Sequence, residues 1–324
     1  MIDGRGATLM PGLIESHAHL GLADMSSQDL NRLPIEEQML ITVRNARTML
    51  DCGYTSAFSA ASAKPRLDVV LRREIEAGRE AGPRLLANGP EITVTGGLGD
   101  TNQMHLPHYE TPTFSWVADR PDAIRRVCRL LAREGVDLLK LNLSGDIGTS
   151  SYPSEQTPMT DGEVAAAMEV ARAASLRVAA HCRSAESVML ALRHGIEVIY
   201  HANYADERAL DALEAARDRI FVGPALGLTY NLTQAGASGA SRPSGRAPSS
   251  TSWRSPSRRS RACASAASGS SPEATMASCS HRTARTRRTS GSSSRSSAFR
   301  PWRPSWPRPS SAASSWGARA SWAW

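Results

Sequence analysis

The sequence predicts an α/β chain folded as a (β/α)8 TIM-type barrel that is incomplete: strands one to seven are recognisable and strand eight is lost. Three observations carry that expectation. Short apolar runs alternate with segments of 3.6-residue periodicity, the pattern of βα units on a parallel sheet. Seven such runs fall within about 220 residues, which suits a barrel better than an open sheet. The aliphatic residues then stop, and after Leu232 the 324-residue chain has no Leu, Ile or Val.

The seven candidate strands, in order, are GLIESH (12–17), TSAFSA (55–60), RLLANG (84–89), DLLKLNLSG (137–145), RVAAHC (177–182), EVIYHA (197–202) and IFVGPALG (220–227). The helical segments between them carry their own punctuation. The stretch 35–53 ends on Gly53, which suits the left-handed C′ position. Residues 160–175 open with Thr160 and Glu163 at capping-box spacing. Residues 184–195 stop at Gly195, after His194, which reads as a cation for the C-terminal helix dipole. Residues 206–219 start with acids and end with arginines, as the dipole favours.

Composition divides the chain in two. Residues 1–234 hold 23 Lys and Arg against 30 Asp and Glu, a net charge of −7, whereas 235–324 hold 15 Arg against the single acid Glu273, a net of +14. A stretch of Ser, Arg, Ala and Pro without aliphatic side chains cannot bury enough surface to offset its ordering entropy. Residues 1–234 are therefore the expected barrel, and 235–324 a low-complexity tail expected to be disordered. The five cysteines form no CxxC pair, which argues against a disulfide or structural-zinc scaffold. No apolar run reaches membrane-spanning length, and no secretory signal opens the chain. The expectation is a cytoplasmic protein with no membrane partner, and a homo-oligomer stays open.

Active sites of βα barrels lie at the C-terminal ends of the strands. There the first strand carries His17 and His19, the fourth Lys140, the fifth His181 and the sixth His201. Alternation along a strand puts His17 and His19 on one side. Singly, each histidine could be a hydrogen-bonded loop residue; four of them ending three strands form a converging imidazole site suited to zinc. His105 and His108 fall in the loop after the third strand, where solvent or a substrate pocket could hold them. Lys140 is one of only two lysines and sits inside the apolar LLKLNL. A buried ammonium must be paired or neutralised. Carboxylation by CO₂ would replace the cation with an anionic carbamate; snorkelling to the barrel rim is the alternative.

TLMPGLIESHAHL, the strand-four lysine, AHC and YHANY together resemble the amidohydrolase superfamily, in its imidazolonepropionase-like and metal-dependent prolidase-like branch, over residues 2 to about 232. The resemblance implies two divalent metal ions of the zinc type. His17 and His19 would bind one, His181 and His201 the other, and a carboxylated Lys140 would bridge them. It implies a metal-activated hydroxide attacking the carbonyl of a small-molecule amide-like substrate: a dipeptide, an N-acyl amino acid, a cyclic amide, a urea or a carbamate. Tyr230, at the end of the seventh strand, would donate to the developing oxyanion or pack at the rim. Two family parts are missing from the pattern. A leading β-segment is expected before His17, and the strand-eight Asp that shuttles the proton has no counterpart in 235–324.

The tail reads differently one frame over. Combining the third base of each codon with the first two of the next, Met276–Ala277 forces Gly and Trp306–Pro307 forces Ala; around them the code permits VRVLPGGDYG from 267–277, TPHGTN from 280–286 and MEALVAAT from 301–309. The first has the form of an aliphatic strand ending in a Gly-rich turn with an Asp across Ala274 and Thr275. The expectation is an out-of-frame tail beginning near residue 234. The competing reading is a genuine basic tail that binds RNA or another polyanion beside a non-catalytic, degenerate barrel. The tail lacks RS or RGG repeats, so nucleic acid is not the expected partner.

Overall fold

A computed structural model describes residues 6–23, 25, 27–102, 114–146 and 150–227. The order of elements is β1 (Leu13–Ala18), α1 (Ser27–Arg32), α2 (Ile35–Asp51), β2 (Tyr54–Ser59), α3 (Leu67–Glu76), β3 (Arg84–Leu86), β4 (Glu91–Thr93), β5 (Ser115–Val117), α4 (Pro121–Glu134), β6 (Leu138–Asn142), α5 (Asp161–Ala173), β7 (Arg177–Ser184), α6 (Ala185–His194), β8 (Val198–Tyr204), α7 (Glu207–Ala215) and β9 (Phe221–Gly223). All strand pairs are parallel, in two sheets ordered β1-β2-β3 and β5-β4-β6-β7-β8-β9.

The two sheets are one barrel wall interrupted at the third predicted strand. That strand breaks at Asn88-Gly89-Pro90, so β3 pairs with β2 while β4 pairs with β6. Proline supplies no N–H to a ladder, which explains the gap. Asp137 closes the seam: its N–H donates to Ala87 O at 2.8 Å, and its carboxylate accepts Ala87 N–H at 2.7 Å and pairs with Arg72 of α3. Inside the wall, Phe58 and Ala60 pack with Leu138, Ala179, Val198 and Tyr200, joining side chains from both sheets. Outside, Leu139, Leu141, Val178 and Ala180 pack against Ile124, Val127, Cys128 and Leu131 of α4 and against α5 and α6.

Most of the helix punctuation is as the sequence predicts; α7, however, stops at Ala215 with no basic residue in its last turn, so Arg217 and Arg219 of the predicted 206–219 segment lie beyond it. Gly53 and Gly195 take positive φ at the ends of α2 and α6. The Thr160–Glu163 capping box is formed. His194 ends α6, with its ring 3.1 Å from Asp161 of α5. Several details differ. The short β5 was not anticipated, because three residues carry no periodicity. The last predicted strand shrinks from 220–227 to β9. The eighth strand and residues 235–324 lie outside the described residues. Among those described, no helix is long and apolar enough to cross a membrane.

Asp68, in the first turn of α3, is fully buried and accepts the Ser59 hydroxyl. Burial pushes its carboxyl up from 3.8 to about 6, against the hydrogen bonds that favour the charged form. The folded state therefore holds this proton more tightly than the unfolded chain. Stability from this group is lost as pH rises from about 4 to about 6, by about 3 kcal/mol at 1.36 kcal/mol per unit. The urea midpoint is expected to rise on acidification from pH 7 to pH 5, and Asp68→Asn is expected to flatten that rise. An unchanged slope in the variant would show that other groups set it.

Candidate metal centre

The site is assembled at the C-terminal ends of β1, β6, β7 and β8. Two of these strands reach it through an extra residue. On β1 the register passes from Glu15↔Ala57 to Ala18↔Ser59, three steps against two. On β8 it passes from His201 to Tyr204 while β7 passes from Cys182 to Ser184. His201 and Ala202 take φ of 79° and 50°, and a bulge of this kind re-aims a side chain. Simple alternation would put Tyr200 and His201 on opposite faces; the bulge brings both into the site.

The four predicted histidines meet. Ring centroids are 5.1 Å apart for His17–His19, 5.2 Å for His17–His201 and 4.7 Å for His181–His201. Tyr200 stacks on His17 at 3.9 Å, and its hydroxyl donates to Ser16 O at 2.5 Å. Lys140 is the fifth member, with Nζ 4.8 Å from the Tyr200 ring centre. It is buried to 1% exposure, so snorkelling to the rim is excluded. Tyr230, His105 and His108 lie outside the described residues.

Burial is the first cause that lowers all four imidazole pKa values, His19 to about 3. The charge on Lys140 adds to the effect at each ring. Neutral imidazoles keep a lone pair, which is what a divalent ion requires. His19 Nδ1 is moreover buried with no hydrogen-bond partner among the described residues. Donor chemistry and the orphaned nitrogen thus fit a metal. Among the described residues, however, no three His, Cys, Asp or Glu side chains already form a group that could hold one ion.

Sequence reasoning missed three neighbours. Glu91 of β4 puts Oε1 3.5 Å from Lys140 Nζ, and its Oε2 accepts from Asn142 Nδ2 at 2.6 Å. Burial raises the Glu91 pKa, opposed by Lys140; burial lowers that of Lys140, opposed by Glu91. Arg183, two residues beyond His181, lies with Nε 2.6 Å from Asp146 Oδ1. Tyr200 is the third. Arg183 was recoverable from alternation on RVAAHCRS, whereas Glu91, just after Gly-Pro, gives no strand signal of its own.

Comparison with known proteins points the same way. The model of the amidohydrolase family matches residues 8–235. Ochratoxinase of Aspergillus niger is 25% identical over 226 residues, covering 65% of this chain and 46% of that protein. The chain thus spans about half the length of the curated relatives it matches. Among solved structures, a prolidase complexed with N-methylphosphonate-L-proline superposes with a TM-score of 0.67 at 24% identity, covering 87% of this chain and 65% of the other. A Xaa-Pro dipeptidase with methionine in its active site gives 0.61 at 24%, covering 69% and 55%. These two likenesses establish the TIM-barrel fold.

Proposed function

The chain belongs to the amidohydrolase family, and from that premise we propose that it is a metal-dependent hydrolase of amide-like C–N bonds. The observation that carries the reading is the buried cluster of four neutral imidazoles and Lys140 at the C-terminal strand ends. The curated relative is an ochratoxinase and the structural relatives a prolidase and a Xaa-Pro dipeptidase.

His17 and His19 would hold one divalent ion, zinc by donor type, and His181 with His201 a second. Such ions, when bound, supply Lewis acidity to the scissile carbonyl and make water acidic enough to attack near neutral pH. Lys140 as an ammonium repels cations from this site. As a carbamate it would supply an anionic ligand to the ions, so carboxylation and the Glu91 ion pair would compete for the same Nζ. Tyr200 fixes the His17 ring plane, and buried Ala179 and Val198 floor the site and keep water below it out. Tyr230 is assigned to the oxyanion by the same reading.

Zinc-supplemented protein in bicarbonate buffer is expected to hold about two ions per chain. Removing His17 and His19 together should halve that number, as measured by elemental analysis. Chelation should abolish hydrolysis of a dipeptide panel. Metal-free protein with undiminished amidase activity would overturn the reading.

We further propose that residues 235–324 are read out of frame, so that the eighth strand and its Asp lie one frame over. The absence of aliphatic residues after Leu232 and the permitted VRVLPGGDYG support this.

A further inference from the structure

We propose that Asp146 is a ligand of the ion held by His181 and His201, its carboxylate aimed by Arg183, so that this chain supplies an anionic metal ligand from the turn after β6. This rests on the metal-dependent reading of the same site and adds to it a residue outside the set of imidazoles and Lys140.

Neutral imidazoles bring no negative charge to a divalent ion, and a buried charge is costly without a partner. Glu15 accepts the His17 backbone N–H at 2.9 Å, and Glu91 faces Lys140 and Asn142. Asp146 is placed otherwise. Its Oδ2 lies 4.0 Å from His181 Nε2. Two donors on one tetrahedral zinc ion, each about 2.0–2.1 Å from it, stand about 3.3 Å apart. A closure of roughly 0.7 Å would bring this oxygen and nitrogen to that separation. His181 Nε2 lies also 3.1 Å from Gly145 O. A ring nitrogen faced by two oxygens is a place where positive charge is stabilised, whether of a proton or of a metal ion. The Asp146 charge bears on Glu91 and Lys140 as well, so it belongs to the field of the whole cluster.

The backbone keeps the carboxylate in this position. Leu143 and Ser144 N–H donate to His181 O at 3.1 and 3.4 Å, and Arg183 N–H donates to Ser144 Oγ at 2.8 Å, which stitches the turn to β7. On the other side Gly145 N–H donates to Gln156 O at 3.0 Å. A Cβ on Gly145 would stand 2.1 Å from Tyr152 O, so only glycine fits there. Asp146 follows directly. Its Oδ1 lies 2.6 Å from Arg183 Nε, and Arg183 is held in turn by Asn203, whose Oδ1 accepts from Nη1. One carboxylate oxygen thus faces a cation while the other is turned toward an imidazole. That division suits a monodentate ligand with an outer partner that orients it. A carboxylate serving only as the countercharge of Arg183 would be expected to meet the two-pronged fork with both oxygens.

The test isolates the second ion in the full chain with His17 and His19 both replaced by Ala, titrated with Co²⁺ in bicarbonate buffer. Adding Asp146→Asn is expected to weaken Co²⁺ binding by at least about 10-fold. It should also change the visible absorption of the saturated ion, because an anionic oxygen leaves the coordination sphere. A residue acting only through its charge or only on folding would weaken binding and leave the saturated spectrum unaltered. That result, or an unchanged affinity, overturns the proposal. Asp146→Asn strips Arg183 of its countercharge. Should that variant not fold, Asp146→Asn with Arg183→Met removes both charges, and its spectrum is compared with that of Arg183→Met alone. Amide hydrolysis by the wild-type chain is followed in parallel. A Co²⁺ site dependent on Asp146 in a chain without hydrolysis sinks the hydrolase reading and leaves the ligand standing. Metal-dependent hydrolysis with a site indifferent to Asp146 does the reverse. A chain that binds no Co²⁺ overturns both.

Discussion

Restoring the alternate frame from about codon 235 is expected to raise amide hydrolysis by roughly two to four orders of magnitude over this chain, the usual contribution of a positioned general acid–base. The physical case starts from the edges. Among the described residues β1 pairs only with β2, and β9 only with β8. A parallel barrel strand normally has two neighbours, and an unpaired edge is a liability. Leu9, Met10 and Ile14 are exposed around the first edge, and Phe221 and Leu226 around the last. One further strand and helix would cover both groups. The 90 residues after 234 contain one acid and no Leu, Ile or Val with which to build them. The alternate frame permits both a strand and an Asp in the right order. Sequencing the coding DNA gives the first answer: stop codons in that frame before the region of Met276 end the idea. The restored chain gives the second, and an activity no higher than that of the present chain would refute the assignment even with the frame open. A gain confined to solubility would assign the segment to the fold and leave the proton shuttle elsewhere.

How much of the site was legible follows from which backbone rule each residue obeys. Lys140 and His181 sit on regular strands, where period-two alternation and an apolar context predict their facing. His17 and His19 were found because two imidazoles one residue apart are a strong signal by themselves. The same rule fails at His201, which reaches the cluster only through left-handed backbone at His201 and Ala202. Tyr200 was passed over for that reason, since alternation allows one of the two neighbours inside. Glu91 was missed because Pro90 breaks the third strand just before it, and three-residue β4 shows no periodicity. The barrel was legible because seven apolar runs recur at regular spacing. Its split into two sheets was not, because the break comes from Pro90 and the seam is bonded through the backbone and side chain of Asp137, 50 residues from Ala87.

Breaking the Lys140–Glu91 pair from one side is expected to destabilise the protein by about 3–5 kcal/mol, a fall of roughly 6–20 °C in Tm for a domain of this size. Lys140→Met keeps the length of the side chain and its packing beneath Tyr200 but leaves the Glu91 carboxylate buried beside Asn142 alone. Glu91→Gln leaves the opposite charge, an ammonium whose nearest relief is the face of Tyr200. The double variant removes both charges and keeps an amide able to accept from Asn142, so it should recover most of the loss. The double-mutant cycle should therefore give a coupling far larger than the few tenths of a kcal/mol found for independent sites. Additive losses would mean that the two groups do not depend on one another and that the 3.5 Å approach is incidental. The same variants bear on the metal site. If the carboxylate of Glu91 and carboxylation compete for one nitrogen, Glu91→Gln in ¹³C-bicarbonate should show a stronger carbamate carbon signal than wild type at equal metal, and Lys140→Met should show none. An unaltered signal in Glu91→Gln would separate the pair from ligand formation and leave Glu91 with a purely structural duty, neutralising Lys140 within the barrel.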